Sequence, residues 1–388
     1  MELSKQINVL ISGASVAGLN TAYWLVKYGF NVTIVERSSH IRAGGQALDV
    51  RGPALEVAER MGILSDIQNN STQLNGMLVC DAASGNELYR NTEHTVTRGN
   101  HDSPDIEVLR DDLLKVLFEK VGNEVHYIFN DTIVLLNQDE TGVDVIFARS
   151  ASERFNLVIG ADGLRSNVRK LVFGDEKQFV RYLGHYVAIF TIPNFLNLDH
   201  WEVVYQHEDA PMAAYIVKDR ASNARVYLGF SNDIPLDYDY HDIEMQKRIV
   251  AERTVHVGQD ISKILNYMHQ SPNFYFDSMN QILMDTWSKG RVTLVGDAGY
   301  SVSVSLGQGT TVAMVGAYVL AGELAANKYN LQAGLKSYEN ELRQYVEANQ
   351  KSAYDANSDL QQSSLTDSEN MPDFTQSVIP FTLKDYAL

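Results

Sequence analysis

The sequence predicts an α/β fold in which one nucleotide-binding part is interrupted by a sheet-based part, and three observations carry that reading. A strand, a glycine-rich turn, a helix and a second strand open the chain. Two further glycine–acid turns close buried strands much later. Between those turns the pattern changes to short strands of alternating polarity.

Residues 7–11 form an apolar strand-type run, 16–28 have helical periodicity ending at Gly29, and 31–36 form a second strand. The turn between the first strand and the helix holds Gly13, Ser15, Ala17 and Gly18. A turn of this kind sets a pyrophosphate against the unpaired N–H groups that begin a helix. Gly13 allows the tight bend, Ser15 stands where backbone must approach phosphate, and Gly18 lets helix and strand pack closely. Ser15 departs from G-x-G-x-x-G at the close-approach position. Glu36 ends the second strand, with Arg37 beyond it, where a carboxylate can accept both ribose hydroxyls of an adenosine. The spacing predicts a dinucleotide site.

The loop 42–52, RAGGQALDVRG, carries Arg42 and Asp49. Pro53 and Gly62 bracket a short helix containing Leu55, Val57, Ala58 and Met61. Residues 65–105 are mixed and polar, without a clean period. Residues 110–121 read as an amphipathic helix with Leu113, Leu114, Leu117 and Phe118 on one face, opened by Arg110. Runs 132–136 and 143–148 form a hairpin around Gly142, and 155–160 is a buried strand entering Ala161-Asp162-Gly163. Short alternating strands follow at 186–192, 201–205, 213–217 and 225–230, the pattern of an antiparallel sheet. Residues 243–268 are largely helical, and 291–296 is another buried strand, ending in Gly296-Asp297. Gly307-Gln308-Gly309-Thr310 opens an apolar helix over 309–326, and a long helix spans 331–360. The tail, 371–388, carries Phe374, Phe381 and Tyr386. This layout divides into 1–175 with 275–330, then 176–274, then 331–388.

Composition narrows the function. The 388 residues carry a net charge of −17, which argues against nucleic acid or an anionic membrane surface as partner. Cys80 is the single cysteine, so there is no internal disulfide, C-x-x-C redox pair or cysteine zinc site. The ten histidines show no metal-ligand spacing, and no metal is expected. The first strand begins almost at once, leaving no room for a signal peptide, and the most apolar helical stretch, 312–324, contains Glu323. A cytoplasmic protein, a monomer, is expected.

Three ordered motifs then carry a resemblance. The first turn, the run Asp162-Gly163-Leu-Arg165-Ser166-Asn-Val168-Arg169, and Gly296-Asp297-Ala298 with the downstream G-Q-G resemble the single-component flavin-dependent monooxygenases, the aromatic-ring hydroxylases. The fold implied is a Rossmann-like FAD-binding domain with an inserted antiparallel-sheet substrate domain and a C-terminal bridging helix. The resemblance gives Asp297 a ribityl hydroxyl of FAD, and gives Arg110, in E-V-L-R-D-D-L, a flavin contact. Asp162 and Arg165 correspond to positions touching both flavin and the nicotinamide donor. Gly307, Gln308, Gly309 and Thr310 present a helix N-terminus to the flavin, where its positive end favours the charge of the reduced ring. It implies NADPH as transient reductant, O2 as co-substrate, a flavin C4a-hydroperoxide as oxidant, and no catalytic protein residue, since the cofactor carries the chemistry.

The 42–52 loop, the D-I-E-V-L-R-D-D-L segment and the long C-terminal helix resemble more specifically the tetracycline destructases. That resemblance assigns Arg42 to the nicotinamide donor and Asp49 to FAD, makes a tetracycline-like molecule the substrate, and has the C-terminal helix prop the domains and close the cavity. Met212 and Tyr227 are the expected cavity-wall residues. The chain departs from related hydroxylases at Tyr300, Ser303-Val304 and Thr311, beside the flavin. Another aromatic or polyketide substrate is the alternative.

Overall fold

Runs of Val, Ile and Leu flanked by glycine build a six-stranded sheet, buried on both faces as parallel strands are. Its order is Ser288–Lys289, Val292–Leu294, Leu157–Gly160, Asn8–Ser12, Asn31–Glu36 and His126–Phe129; all neighbours are parallel except the first, edge pair. The computed structural model describes residues 7–41, 44–95, 99–100, 102–206, 213–217, 223–254, 258–303, 306–328, 330–362 and 378–386. Helices Val16–Lys27, Arg110–Val121 and Gly309–Ala326 pack together in the core of this sheet. The expected hairpin grows by one strand into a three-stranded antiparallel sheet, Ile133–Gln138, Val143–Phe147 and Glu153–Phe155, whose alternate residues Val143, Val145, Phe147 and Phe155 enter the same core.

The second sheet has seven strands: Phe274–Ile282, Val180–Pro193, Asn223–Ser231, Ala213–Val217, Trp201–Gln206, Met77–Asp81 and Glu87–Asn91. The four expected strands are its centre. It draws two more from the 65–105 stretch and one beyond 274, and Met77–Asp81 pairs parallel with Trp201–Gln206, so the sheet is mixed. Tyr186, Ala188, Phe190, Val226, Leu228 and Phe276 cover one face, over helices Ile243–Thr254 and Gln259–Gln270. The opposite, odd-numbered face of Val180–Pro193, Asn223–Ser231 and Phe274–Ile282 turns to the nucleotide fold.

Gly309–Ala326 is apolar on all sides because it is enclosed on all sides; it meets the length and hydropathy of a membrane span yet is 83% buried inside the structure. Leu331–Gln362 runs along it and reaches both sheets. Tyr338 Oη donates to Leu294 O (3.0 Å), Gln350 Nε2 to Ile282 O (2.8 Å), and Asn357 Nδ2 to Leu183 O (2.8 Å). The long helix therefore props one sheet against the other.

The described end of the tail, residues 378–386, does not face the substrate sheet. It lies on Gly309–Ala326 and Pro53–Met61. Lys384 Nζ pairs with the buried Glu323 at 2.8 Å and with Glu341 at 2.5 Å, Tyr386 Oη donates to Glu323 (3.0 Å), and Arg60 reaches Lys384 O (2.9 Å). Gly322 leaves room for the Tyr386 ring: a Cβ there would stand 2.1 Å from ring carbon Cδ2. Phe374 and the rest of 363–377 lie outside the described residues. Gly322→Ala is expected to cost about 1–3 kcal/mol by overpacking. The check is a lowered melting temperature together with faster carboxypeptidase trimming of the tail.

Candidate functional site

Backbone crowding at the carboxyl ends of three parallel strands brings the three motifs into one place, where open α/β sheets hold their ligands. A Cβ on Gly18 would stand 1.9 Å from Gly13 O, and one on Gly13 would stand 2.6 Å from Ala161 O in the middle motif. Gly296, at φ +65°, leaves its Cβ position 2.9 Å from Ala17 of the first turn. Glycine at these positions is a steric necessity, and the first helix consequently begins directly over the strand ends.

Around that point the charged groups are arranged by the backbone. Glu36 accepts from Ala14 N–H and Ser38 N–H, both at 2.9 Å, one on each oxygen. The two contacts orient the carboxylate at the strand end and leave a second lone pair on each oxygen. Arg37 is exposed just beyond. Arg110 crosses to the first turn, Nη2 donating to Ser15 Oγ (3.1 Å) and Nη1 to Gly44 O (3.3 Å). A guanidinium thus stands beside the helix N-terminus, the combination that binds a pyrophosphate. Arg42 lies outside the described residues.

Asp297 follows a strand and a glycine that are wholly buried, yet its side chain is exposed: it stands in a cleft, surrounded by protein but open to solvent. Burial among its neighbours raises its pKa, against the Ser301 hydrogen bond and the Arg169 charge. Ser303, buried at φ +80°, strains the segment that leads from Asp297 to the next turn. Gly307 takes φ +65°, Gln308 stands at the N-cap position without a side-chain cap bond, and nothing stands within 4 Å of a Cβ placed on Gly309. Thr310 is buried in the first helical turn. Gln308 is 2% exposed, and neither atom of its amide has a hydrogen-bond partner among the described residues. Such a group is costly in a finished core and fits a site that a polar ligand completes.

Asp49 is 6% exposed, and its Oδ1 has no hydrogen-bond partner among the described residues. It lies beneath the Gly307 turn, paired with Arg51 at 3.0 Å, and a Cβ on Gly307 would stand 2.2 Å from its Oδ2. Arg51 also meets Asp105 (3.8 Å) and Leu306 O (3.5 Å), and its N–H donates to Thr311 Oγ1 (3.1 Å). Glu107 sits directly across the two-stranded ribbon from Asp49. Burial first, then the Glu107 and Asp105 charges, push Asp49 up to about 8 against the opposing pull of Arg51. Asp49 supports the turn from below.

The middle motif is likewise turned inward at its acid. Asp162 accepts from Ser166 Oγ (2.5 Å) and Val168 N–H (3.1 Å), closing the start of helix Asn167–Phe173. Arg165 reaches the second sheet, bidentate on Asp277 (2.6 and 3.3 Å) and paired with Glu176 (2.5 Å). Two more contacts tie that sheet face to the nucleotide fold. Arg225 pairs with Asp111 at 3.2 Å, and Tyr227 Oη accepts from Ala47 N–H at 2.5 Å. Tyr227 therefore stands at the cleft wall, anchored to the loop after Gly45; Met212 lies outside the described residues. Asp277, Arg225, Asp111 and Arg51 were missed in the sequence.

Comparison with known proteins agrees with this geometry. The family described as "FAD binding domain" matches residues 6–353. The chain is 51% identical over 342 residues to an uncharacterized protein of Mycobacterium tuberculosis, covering 88% of this chain and 91% of that one. It is 37% identical over 349 residues to a flavin-dependent monooxygenase of Legionella longbeachae, covering 90% and 88%. Among solved structures it is similar to the tetracycline destructase Tet(51), at 35% identity and TM-score 0.86, covering 98% of this chain and 99% of that one.

The Asp49 cluster sets a pH dependence. A carboxyl raised from 3.8 to about 8 binds its proton more tightly in the folded chain, so its contribution is whole below 3.8 and is lost as pH rises to about 8. Asp49→Asn removes that loss. The melting temperature of the variant relative to wild type is expected to climb between about pH 5 and pH 8 and to level off above about pH 8, as read by thermal unfolding across that range.

Proposed function

The chain belongs to the flavoprotein monooxygenases of the FAD-binding-domain family, and from that premise we propose that it uses NAD(P)H and O2 to hydroxylate, and so inactivate, a tetracycline. The observation that carries the proposal is the whole-length likeness to a tetracycline destructase, C-terminal helix included. Enzymes of this kind are FAD-dependent, and the cleft suits that cofactor by its own residues: an oriented acid for the adenosine ribose, a guanidinium at a helix N-terminus for the pyrophosphate, an exposed acid at a buried strand end, and an unpartnered buried amide beside an open glycine.

Glu36, with Arg37 beside it, would hold the adenosine. Gly13 to Gly18 and Arg110 would hold the phosphates, Asp297 a ribityl hydroxyl, and the 307–310 turn the pyrimidine edge of the ring. FAD held there, reduced by a nicotinamide donor, would supply the activated oxygen. The chain's own work is positioning. The N–H groups opening Gly309–Ala326 offset negative charge on the ring edge. Arg51 and Asp49 brace that turn from beneath. The ion pairs Arg165–Asp277 and Arg225–Asp111 hold the sheet over the nucleotide fold and exclude water between them. A tetracycline carbon flanked by ketone and enol oxygens is already nucleophilic, so the reaction needs no strong protein base.

Arg165 of the nucleotide fold and Arg225 of the sheet are both ion-paired, which leaves the wall between them mainly neutral; this favours as second reading a different polycyclic phenol or polyketide. The test is incubation of holoenzyme with chlortetracycline, NADPH or NADH, and air. Substrate-stimulated oxidation of the nicotinamide and a product heavier by one oxygen are expected. Unchanged drug refutes the tetracycline assignment, and stimulation by another phenol moves the chain to the second reading.

The cofactor assignment has its own check. Asp297→Ala is expected to weaken FAD binding about tenfold or more, the loss of a hydrogen bond to a charged group, giving protein purified largely without yellow colour. The 450 nm to 280 nm absorbance ratio after gel filtration measures it.

A further inference from the structure

The wall of the cleft contains a phenol that the roles above leave unused. Strand Phe274–Ile282 pairs with Val180–Pro193 so that Tyr275 stands opposite Ile189 and Asp277 opposite Val187. The same register places Ile189 opposite Tyr227. Tyr275, Asp277, Ile189 and Tyr227 thus share the face turned to the nucleotide fold, while Phe274 and Phe276 pack into the opposite core. On this face the other polar groups are committed. Asp277 holds Arg165, Arg225 holds Asp111, and the Tyr227 oxygen accepts from Ala47 N–H.

Tyr275 is the exception. Its side chain is half-exposed, and its hydroxyl has no hydrogen-bond partner among the described residues. The hydroxyl lies within electrostatic range of Asp277 on its own strand and of Asp297 across the cleft, with Arg165 opposing. It therefore reaches from the second sheet toward the acid at the end of the central strand. Burial and the two carboxylates keep the phenol protonated, which makes it a hydrogen-bond donor at any working pH.

We propose that Tyr275 is a specificity-determining residue of this cleft, whose hydroxyl donates to an enolic or phenolic oxygen of the substrate and so selects which ring carbon meets the flavin. The inference rests on the monooxygenase reading above and names the group that reads the substrate's oxygen. The two carboxylates in range of the hydroxyl disfavour an oxyanion beside it, so the acceptor that Tyr275 reads is a neutral enolic or phenolic oxygen.

The experiment compares wild-type holoenzyme with Tyr275→Phe, which keeps the ring and removes the donor. Chlortetracycline is titrated while the flavin absorbance is followed, and the ratio of hydrogen peroxide to oxygenated product is measured during NADPH oxidation. Equal FAD content, about tenfold weaker chlortetracycline binding and a several-fold rise in the peroxide fraction are expected, the loss of one hydrogen bond to the substrate. Unchanged binding and coupling in a variant whose wild type turns over the drug overturns the role of Tyr275 and leaves the proposed function standing. Lost FAD in the variant also overturns it, placing the phenol on the cofactor. Where wild type is inert toward chlortetracycline the tetracycline assignment falls alone, and the same comparison is made with the phenol that stimulates nicotinamide oxidation, unchanged binding and coupling again overturning the role of Tyr275.

Discussion

One close approach governs this molecule: the first helix enters directly above the ends of three parallel strands, with no side chain larger than a methyl group between them. Gly18 over the Gly13 carbonyl and Gly13 against the Ala161 carbonyl set backbone on backbone, and Gly296 sits against the Ala17 methyl group to complete the seam. The seam has a purpose that packing alone does not explain. It points helix N–H groups, an arginine and two acids into one cleft, and any Cβ in it would displace a strand end. The central sheet is as heavily apolar as it is because it must hold this seam rigid; Val9, Leu10, Ile11, Leu157, Val158 and Ile159 are buried to within 1%.

The second sheet is held in a different way. It meets the nucleotide fold through ion pairs and a tyrosine: Arg165 with Asp277, Arg225 with Asp111, Tyr227 with the Ala47 amide. Partly buried ion pairs contribute little net stability after desolvation, but breaking one strands a charge. An interface made this way has a fixed register and remains polar inside, which suits a cleft meant for a ligand rich in oxygen. The strain at Ser303 and the orphaned amide of Gln308 lie on the opposite side of the same cleft. Both are departures from an optimal core, and both fall in the segment that would meet the flavin.

Much of the nucleotide fold was legible because its signals are local. Helix Gly309–Ala326 and strand Asn31–Glu36 appear with the bounds their own residues dictate. Strands Met77–Asp81 and Phe274–Ile282 were illegible for the opposite reason: their pairing partners lie far away in the chain, and neither segment carries a clean two-residue period. The site divided differently. Glu36, Arg110 and Asp297 sit in motifs with fixed offsets and face the cleft. Asp49 and Asp162 sit in equally recognisable motifs, but a glycine turn fixes only the backbone. Where each carboxylate points is decided by side-chain partners within the same motif, Arg51 for one and the Ser166 cap for the other.

The clasp of Lys384 and Tyr386 over Glu323 has a consequence for how the fold closes. Gly309–Ala326 begins at the turn of 307–310 and ends under residues 384–386, while Val378 settles against Gly52. Glu323, buried near the end of that helix, meets its counter-charge only when a segment some sixty residues on docks against it. The core helix therefore depends at its far end on a contact distant in the chain, which couples its completion to slow, long-range closure.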